Sequence, residues 1–382
     1  MAIKRPSFLS KLPSFSLGAL LLRIPGFKIL DWYIMRKFLG TYIFAIALIL
    51  AITIMFDINE KLDAFLKAPL RATIFDYFLN FLPYFANQFS PLFTFIAVIF
   101  FTSKLASNSE IIAMLSAGVS FKRLMRPYLM SACVIAIATY LLSAYIIPPA
   151  NVKRIDYTNT YVKNKRIDYG SNIMMQVAPG EIAYIARYDN TTKTGYKFSL
   201  ESFDDKVLVS RLTAQIIKWD TLYSWQVRDY MIRDFSGNRE IITRGTRLDT
   251  IIPIEPRDFL ISKNDHEMLT TPQLREYIHR QKERGIANIK SFEIENERRY
   301  AMCAAAFILT VIGMSLSSKK VKGGMGLNIG IGLALSFSYI LFTTVTSTFA
   351  VSGYTSPMVA MWIPNIVYIF IALYLYRRAS SD

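Results

Sequence analysis

Histidine and cysteine are scarce, two of each among 382 residues. Cys133 and Cys303 both lie inside apolar runs, which argues against a disulfide framework and against a thiolate zinc site. With only His266 and His279, a histidine-based catalytic centre has little to draw on. The chain also lacks the GxxxxGK[ST] phosphate loop, the GxSxG elbow and the HExxH zinc motif. These absences agree: the chain is expected to hydrolyse neither ATP nor a substrate by itself, and to hold no metal or cofactor of its own. Acidic residues are few too, 28 against 44 Lys plus Arg.

The resulting net charge of +16 does not point to nucleic acid. Residues 1–37, 104–126, 319–322 and 377–382 together carry 16 basic and 3 acidic side chains, and each segment flanks an apolar run. That is the positive-inside pattern of a bacterial-type inner membrane protein rather than a basic groove.

What the chain has in abundance is apolar sequence, 53% of residues, with 27 Phe and 22 Tyr. Six runs, at 38–56, 74–101, 127–147, 300–318, 325–351 and 358–376, are each near or above the roughly 20 residues a helix needs to cross a bilayer. Pro83 and Pro91 predict kinks in the second. An even number of spans puts all the basic segments on one face, so both termini are expected in the cytoplasm. The opposite face receives the 57–73 loop, the 350–357 loop and a long insert after the third span. Residues 1–37 read as a basic cytoplasmic extension and 377–382 as a cytoplasmic tail. Spans one to three occupy 38–147 and spans four to six 300–376.

The insert alternates apolar and polar residues at 181–187, 196–203, 206–218, 223–235 and 240–252, with turn residues between the runs. Its charges nearly balance, 17 basic against 14 acidic over 150–262. Strands at this spacing with no helix between them predict a sandwich or jelly roll over 148–262. A helical connector follows at 263–299, capped by Thr271, with Leu274, Tyr277, Ile278 and Gln281 on one face. The fold class is therefore a polytopic α-helical membrane protein, six transmembrane helices with a large β-domain inserted between the third and fourth.

Three stretches have candidate roles. The polar interruption at 104–127 reads as a short helix, with Ser107 or Ser109 as cap, Glu110 in the first turn and Gly118 as stop. Ile111, Leu115, Ile112 and Met114 give it a rough apolar face, and it is either a docking surface or a helix that lies on the headgroups. In the 57–73 loop, Lys61 and Arg71 either meet an anionic headgroup or pair with Asp57, Glu60 and Asp63. In the run 323–332, Gly326 and Gly330 let another helix approach closely, within this chain or from a second subunit.

Together these parts resemble one family, the lipopolysaccharide-export permeases LptF and LptG. Leu30-Asp31-Trp32-Tyr33-Ile34 looks like the family's motif leading into span one. Ser109-Glu110-Ile111 through Ala117-Gly118-Val119-Ser120 is similar to its coupling segment, and residues 323–332 to the glycine-rich start of its fifth span. The resemblance implies one subunit of an ABC exporter in the bacterial inner membrane. It pairs with a paralogous permease and docks a cytoplasmic ATPase dimer, which binds ATP and magnesium. It extracts lipopolysaccharide and passes it through a periplasmic β-jellyroll to a membrane-anchored bridge protein of similar fold.

On that reading Glu110, Ile111, Met114, Leu115, Gly118 and Arg123 couple to the ATPase, and Gly326 and Gly330 form the subunit interface. Lys61 and Arg71 meet the lipid's phosphates. Phe44, Phe56, Phe85 and Phe89, with Phe81 and Phe93, line an apolar cavity, and Tyr184 and Trp225 mark the jellyroll path. Such a cavity is required because each buried CH₂ is worth ~0.8 kcal/mol, so lifting several acyl chains out of a bilayer unaided costs tens of kcal/mol. Two other readings are weighed against it. A mechanotransducing permease of the macrolide-exporter or lipoprotein-release type usually has its outer domain after span one. A membrane-anchored scaffold would bring no ATPase with it.

Overall fold

The computed structural model describes residues 27–162, 169–205, 207–237, 239–256, 265–283, 289–319 and 324–381. Most of the N-terminal extension and the Lys320–Gly323 part of the basic loop lie outside the described residues.

Six helices are long and apolar enough to cross a membrane, at Ile29–Glu60, Ser90–Ser107, Phe121–Val162, Lys290–Ser317, Gly326–Val351 and Pro357–Ser380. In chain order the helices are α1 (Ile29–Glu60), α2 (Leu62–Lys67), α3 (Leu79–Gln88), α4 (Ser90–Ser107) and α5 (Glu110–Ser116). Then come α6 (Phe121–Leu141), α7 (Ile147–Tyr157), α8 (Thr271–Glu283), α9 (Lys290–Ser317), α10 (Gly324–Val351) and α11 (Pro357–Ser381). Helix α9 is central, packed against α4, α6 and α11, and adding a Cβ to its Gly313 would bring that atom within 2.8 Å of Val98 on α4.

Three helical expectations need correcting. The second apolar run is not one kinked helix: the chain breaks at Phe89 (φ −100°, ψ 11°), and Pro91 sits in the first turn of α4, where its missing N–H costs nothing. Pro83 stays inside α3. The 57–73 segment is mostly helical, and a π-helical turn at Thr73–Phe78 leads into α3. The third run does not stop near 147. A second π-turn at Leu142–Ile146 joins α6 to α7, so the chain stays helical to Val162.

Strands β1 (Tyr169–Ala178), β2 (Glu181–Asp189), β3 (Thr194–Asp204), β4 (Val207–Trp219), β5 (Ser224–Ser236) and β6 (Arg239–Ile251) follow. They form one six-stranded antiparallel sheet in strict sequential order. The five strands read from alternation are present, and β1 is added at one edge. Among the described residues there is one sheet, not the two packed layers of a sandwich.

One face of this sheet is apolar, with Ile173, Ile185, Phe198, Leu212, Ile217 and Trp225 among its buried residues. The sheet is creased. Asn172, Ala186, Lys197, Gln215, Asp229 and Thr246 stand opposite one another across the six strands, yet none is paired in the ladders on either side. On alternate strands the row residue has positive φ: Asn172 51°, Lys197 51° and Asp229 52°. The pleat changes phase there. On β5 the inward residues are Trp225 and Val227 before the row, then Tyr230 and Ile232 after it. All four still pack into the same apolar face.

Helix α8 closes one end of that face. Its buried side carries Leu274 and Gln281, and Ile278 and Ile289 reach the sheet core. Thr270, the residue ahead of α8, is bonded to its first turn: the Thr270 N–H and hydroxyl both donate to Gln273 Oε1 (3.0 and 2.7 Å). Thr271, expected as the cap, instead accepts a hydrogen bond from Arg299 (2.8 Å).

Candidate functional site

The coupling segment is built by the ends of four helices. Helix α5 ends as the sequence predicts: Gly118 (φ 83°) donates to Leu115 O and Val119 to Met114 O, both at about 3 Å, closing the turn with a left-handed residue. Its start differs. Ser109 holds the cap position with φ 59° but makes no side-chain cap bond, and Ser107 belongs to α4. The capping serine is Ser120, which accepts from the Arg123 N–H (3.3 Å) and opens α6.

Ile111 is buried among Ile34, Phe38 and Leu105, and Met114 packs against the same cluster. Ile111 thus holds α5 down on the chain, with Met114 half-buried beside it. Ile112 and Leu115 are 50% and 41% exposed and form the presented surface.

Arg123 is also not on that surface. Its guanidinium makes a two-pronged ion pair with Asp31, Nη1–Oδ1 2.5 Å and Nη2–Oδ2 2.7 Å. Asp31 is fully buried, and its Oδ2 also accepts the Lys28 N–H (2.9 Å), which caps α1. One residue pair further, the Tyr33 hydroxyl donates to Glu110 Oε2 (2.9 Å). Two polar contacts therefore tie the coupling segment to the first turns of α1. The short-range signals (an acid in a first turn, a serine before a basic run) mark Asp31 and Ser120 singly, but nothing local pairs Asp31 with Arg123.

At the other end of α1, Lys61 is bonded to Asp57 and to the hydroxyl of buried Tyr77, which also donates to Asp57 (3.1 Å). Lys61 is thus a paired charge, while Arg71 is exposed. Phe44 and Phe56 are exposed on α1, at 66% and 65%. Phe85 and Phe89 are half-buried and meet as a tilted pair with ring centroids 4.6 Å apart, while Phe81 and Phe93 are buried in the helix packing.

On the sheet, Trp225 lies on the apolar face and donates its indole N–H to Ile254 O (3.0 Å). Tyr184 does not. The inward residues of β2 are Ala183 and Ile185, and Tyr184 points the other way, its hydroxyl on Asn172 (3.0 Å). Burial against the same face pushes the Tyr188 phenol well above its ordinary range.

A polar cluster that sequence reasoning missed joins the connector after the sheet to the helices. Buried Arg299 on α9 donates to Glu295 (3.0 Å), Thr271 (2.8 Å) and Leu269 O (2.9 Å). Glu267 accepts from Tyr84 of α3 (3.1 Å) and Arg154 of α7 (3.2 Å). The connector before α8 is thereby clamped to three helices.

The fifth apolar helix separates its glycines by role. A Cβ on Gly332 would collide with Ile99 of α4, so that position serves packing within the chain. A Cβ on Gly326 or Gly330 would meet nothing within 4 Å. A family model described as "Lipopolysaccharide export system permease LptF/LptG" matches residues 32–378. No protein in the curated set matches the chain.

Proposed function

This chain belongs to the LptF/LptG family of lipopolysaccharide export permeases, and we propose that it is one half of an ATP-driven exporter that lifts lipopolysaccharide from the inner membrane. The observation that carries this reading is uncovered apolar surface on the first and fifth spans. Ile43, Phe44, Leu48, Ile52, Met55 and Phe56 on α1 are 48–70% exposed, and the open glycine face of α10 is likewise uncovered. A paralogous permease pairs across these faces, and the acyl chains enter between α1 of one subunit and the fifth span of the other. Arg71, together with any part of Lys61 released from Asp57, meets the lipid's phosphates.

The basic ends of the spans face the cytoplasm, and the β-domain, inserted between the third and fourth spans, faces the periplasm. An ATPase dimer, which holds ATP and magnesium, docks on Glu110, Ile112 and Leu115. Its stroke reaches α1 through Asp31–Arg123 and Tyr33–Glu110. The lipid then passes along the apolar face of the sheet. The long exposed edge of β6 supports a strand-to-strand junction with a periplasmic bridge of similar fold.

Copurification tests the assembly: a paralogous six-span permease and a phosphate-loop ATPase are expected with the tagged chain. Photo-crosslinkers test the path. Capture of lipopolysaccharide is expected at Ile232, on the apolar face, to rise during ATP turnover, and to be absent at Tyr184. Equal capture at both positions, with or without ATP, would remove the sheet from the path.

A further inference from the structure

A groove of about 840 Å³ runs between α6 and α11, floored by Val311 of α9. It adjoins the coupling segment, whose Ser120 and Arg123 line one end of it, and its volume falls within the ~300–1,000 Å³ typical of small-molecule sites. Its two ends differ in chemistry. At one end stand Lys122 and Arg126, exposed and one helical turn apart, with no hydrogen bond or ion pair among the described residues. Beside them Arg123 is already held by Asp31. The rest of the groove is apolar, with Leu129, Met130, Cys133 and Leu373 along it. No carboxylate is among the described residues that line it.

From Lys122 to Cys133 the groove follows α6 for roughly 16 Å at 1.5 Å per residue. That is about half of a ~30 Å hydrocarbon core, or one leaflet. Near the ends of α9 and α11, Lys319 Nζ donates to Arg378 O (3.3 Å); with the basic ends of the spans at the cytoplasm, the orientation proposed above, Lys122 and Arg126 at the start of α6 fall at the same membrane boundary.

We propose that this groove binds one anionic glycerophospholipid of the leaflet at the basic end. Its phosphate rests on Lys122 and Arg126, and an acyl chain lies along Leu129, Met130 and Cys133. A headgroup with a net negative charge finds two cations and no acid. A zwitterionic headgroup brings an ammonium for which the groove has no partner. Basic pockets between membrane helices on the cytoplasmic side recognise lipid headgroups by this chemistry. The bound lipid would wedge α6 against α11 beside the coupling segment, a position from which it can bias how firmly Arg123 holds α1.

The test uses the full chain assembled with its partner permease and ATPase, and native mass spectrometry after exposure to equal amounts of phosphatidylglycerol and phosphatidylethanolamine. At about one factor of five per basic residue, retention of phosphatidylglycerol is expected to exceed that of phosphatidylethanolamine by roughly twenty-five-fold. Lys122→Gln/Arg126→Gln should bring the ratio close to one, whereas Lys153→Gln/Lys218→Gln, at exposed lysines outside the groove, should not change it. Cys133→Trp, which fills the groove and keeps both charges, should lower retention of the lipid itself. Assembly with the partner permease shows that each variant folds. Equal retention of the two lipids by the unaltered complex, or an undiminished preference in Lys122→Gln/Arg126→Gln, would overturn the proposal. Displacement of the lipid by glycerol phosphate alone would overturn the acyl-chain part of it.

Discussion

Arg123 and Asp31 are 92 residues apart, and their pairing decides how the start of α1 is held. A buried ion pair adds little over an apolar pair, but removing one partner strands the other charge at a cost of about 3–5 kcal/mol. Arg123→Ala is therefore expected to lower the melting temperature sharply, and Asp31→Asn combined with Arg123→Gln to recover most of the loss; thermal unfolding of the three proteins measures the coupling. The creased row gives a second single-residue test. Lys197 sits in the left-handed region, where a side chain costs roughly 1–2 kcal/mol. Lys197→Gly should leave the sheet as stable or up to ~1 kcal/mol more so, and Lys197→Val should destabilise it by about 1–2 kcal/mol, read by denaturant unfolding. At this scale the sequence showed which residues carry chemistry and rarely how they pair. Glu110, Gly118 and Trp225 stand where their types imply. Lys61 takes the pairing with Asp57 that was one of its two readings, and Tyr184 faces away from the core, where its hydroxyl meets Asn172 on β1.

Among elements, α5 is the most exposed to experiment, because one apolar side is packed on the chain and the other is uncovered. Leu115→Arg keeps Ile111 and Met114 packed and should abolish ATPase association without altering expression or melting. Ile111→Ala should instead loosen the helix, at about 2–5 kcal/mol for a buried large-to-small change. Pull-down of the ATPase alongside thermal unfolding separates the two effects, and normal association of Leu115→Arg would mean that the partner docks elsewhere. Strand positions were legible to within a few residues because period-two alternation is strong over β2–β6. β1 was not, since its Gly170, Ser171 and Asn172 interrupt the pattern. Which face points inward was illegible on β2. The phase change at the row leaves each half-strand with its own alternation, and the more apolar set in β2, Ile182, Tyr184 and Ala186, faces away from the core. In the second run the prolines predicted kinks, but Pro83 stays inside α3 and the chain breaks at Phe89, two residues before Pro91.

For the whole molecule, the sharpest expectation concerns assembly. Gly330→Leu places a large side chain where nothing in this chain lies within 4 Å of an added Cβ, so monomer stability should be unchanged while copurification of the paralogous permease falls. Gly332→Leu, facing Ile99, should reduce the stability of the chain itself. The order of spans and insert was legible because hydropathy and loop charge act over tens of residues. The clamp of Arg299 and Glu267 was not, as it joins residues scattered over three helices and a connector. The creased row carries a further consequence for how the insert finds its alignment. Sliding a hairpin by two residues keeps every apolar side chain on its proper face, so alternation alone does not forbid it. Such a slide would set Asn172, Lys197 or Asp229 against an ordinary ladder position and break hydrogen bonds on both sides. Six residues, one from each strand, thus work as the teeth of a lock: only the alignment in which all of them fall in line lets the sheet close.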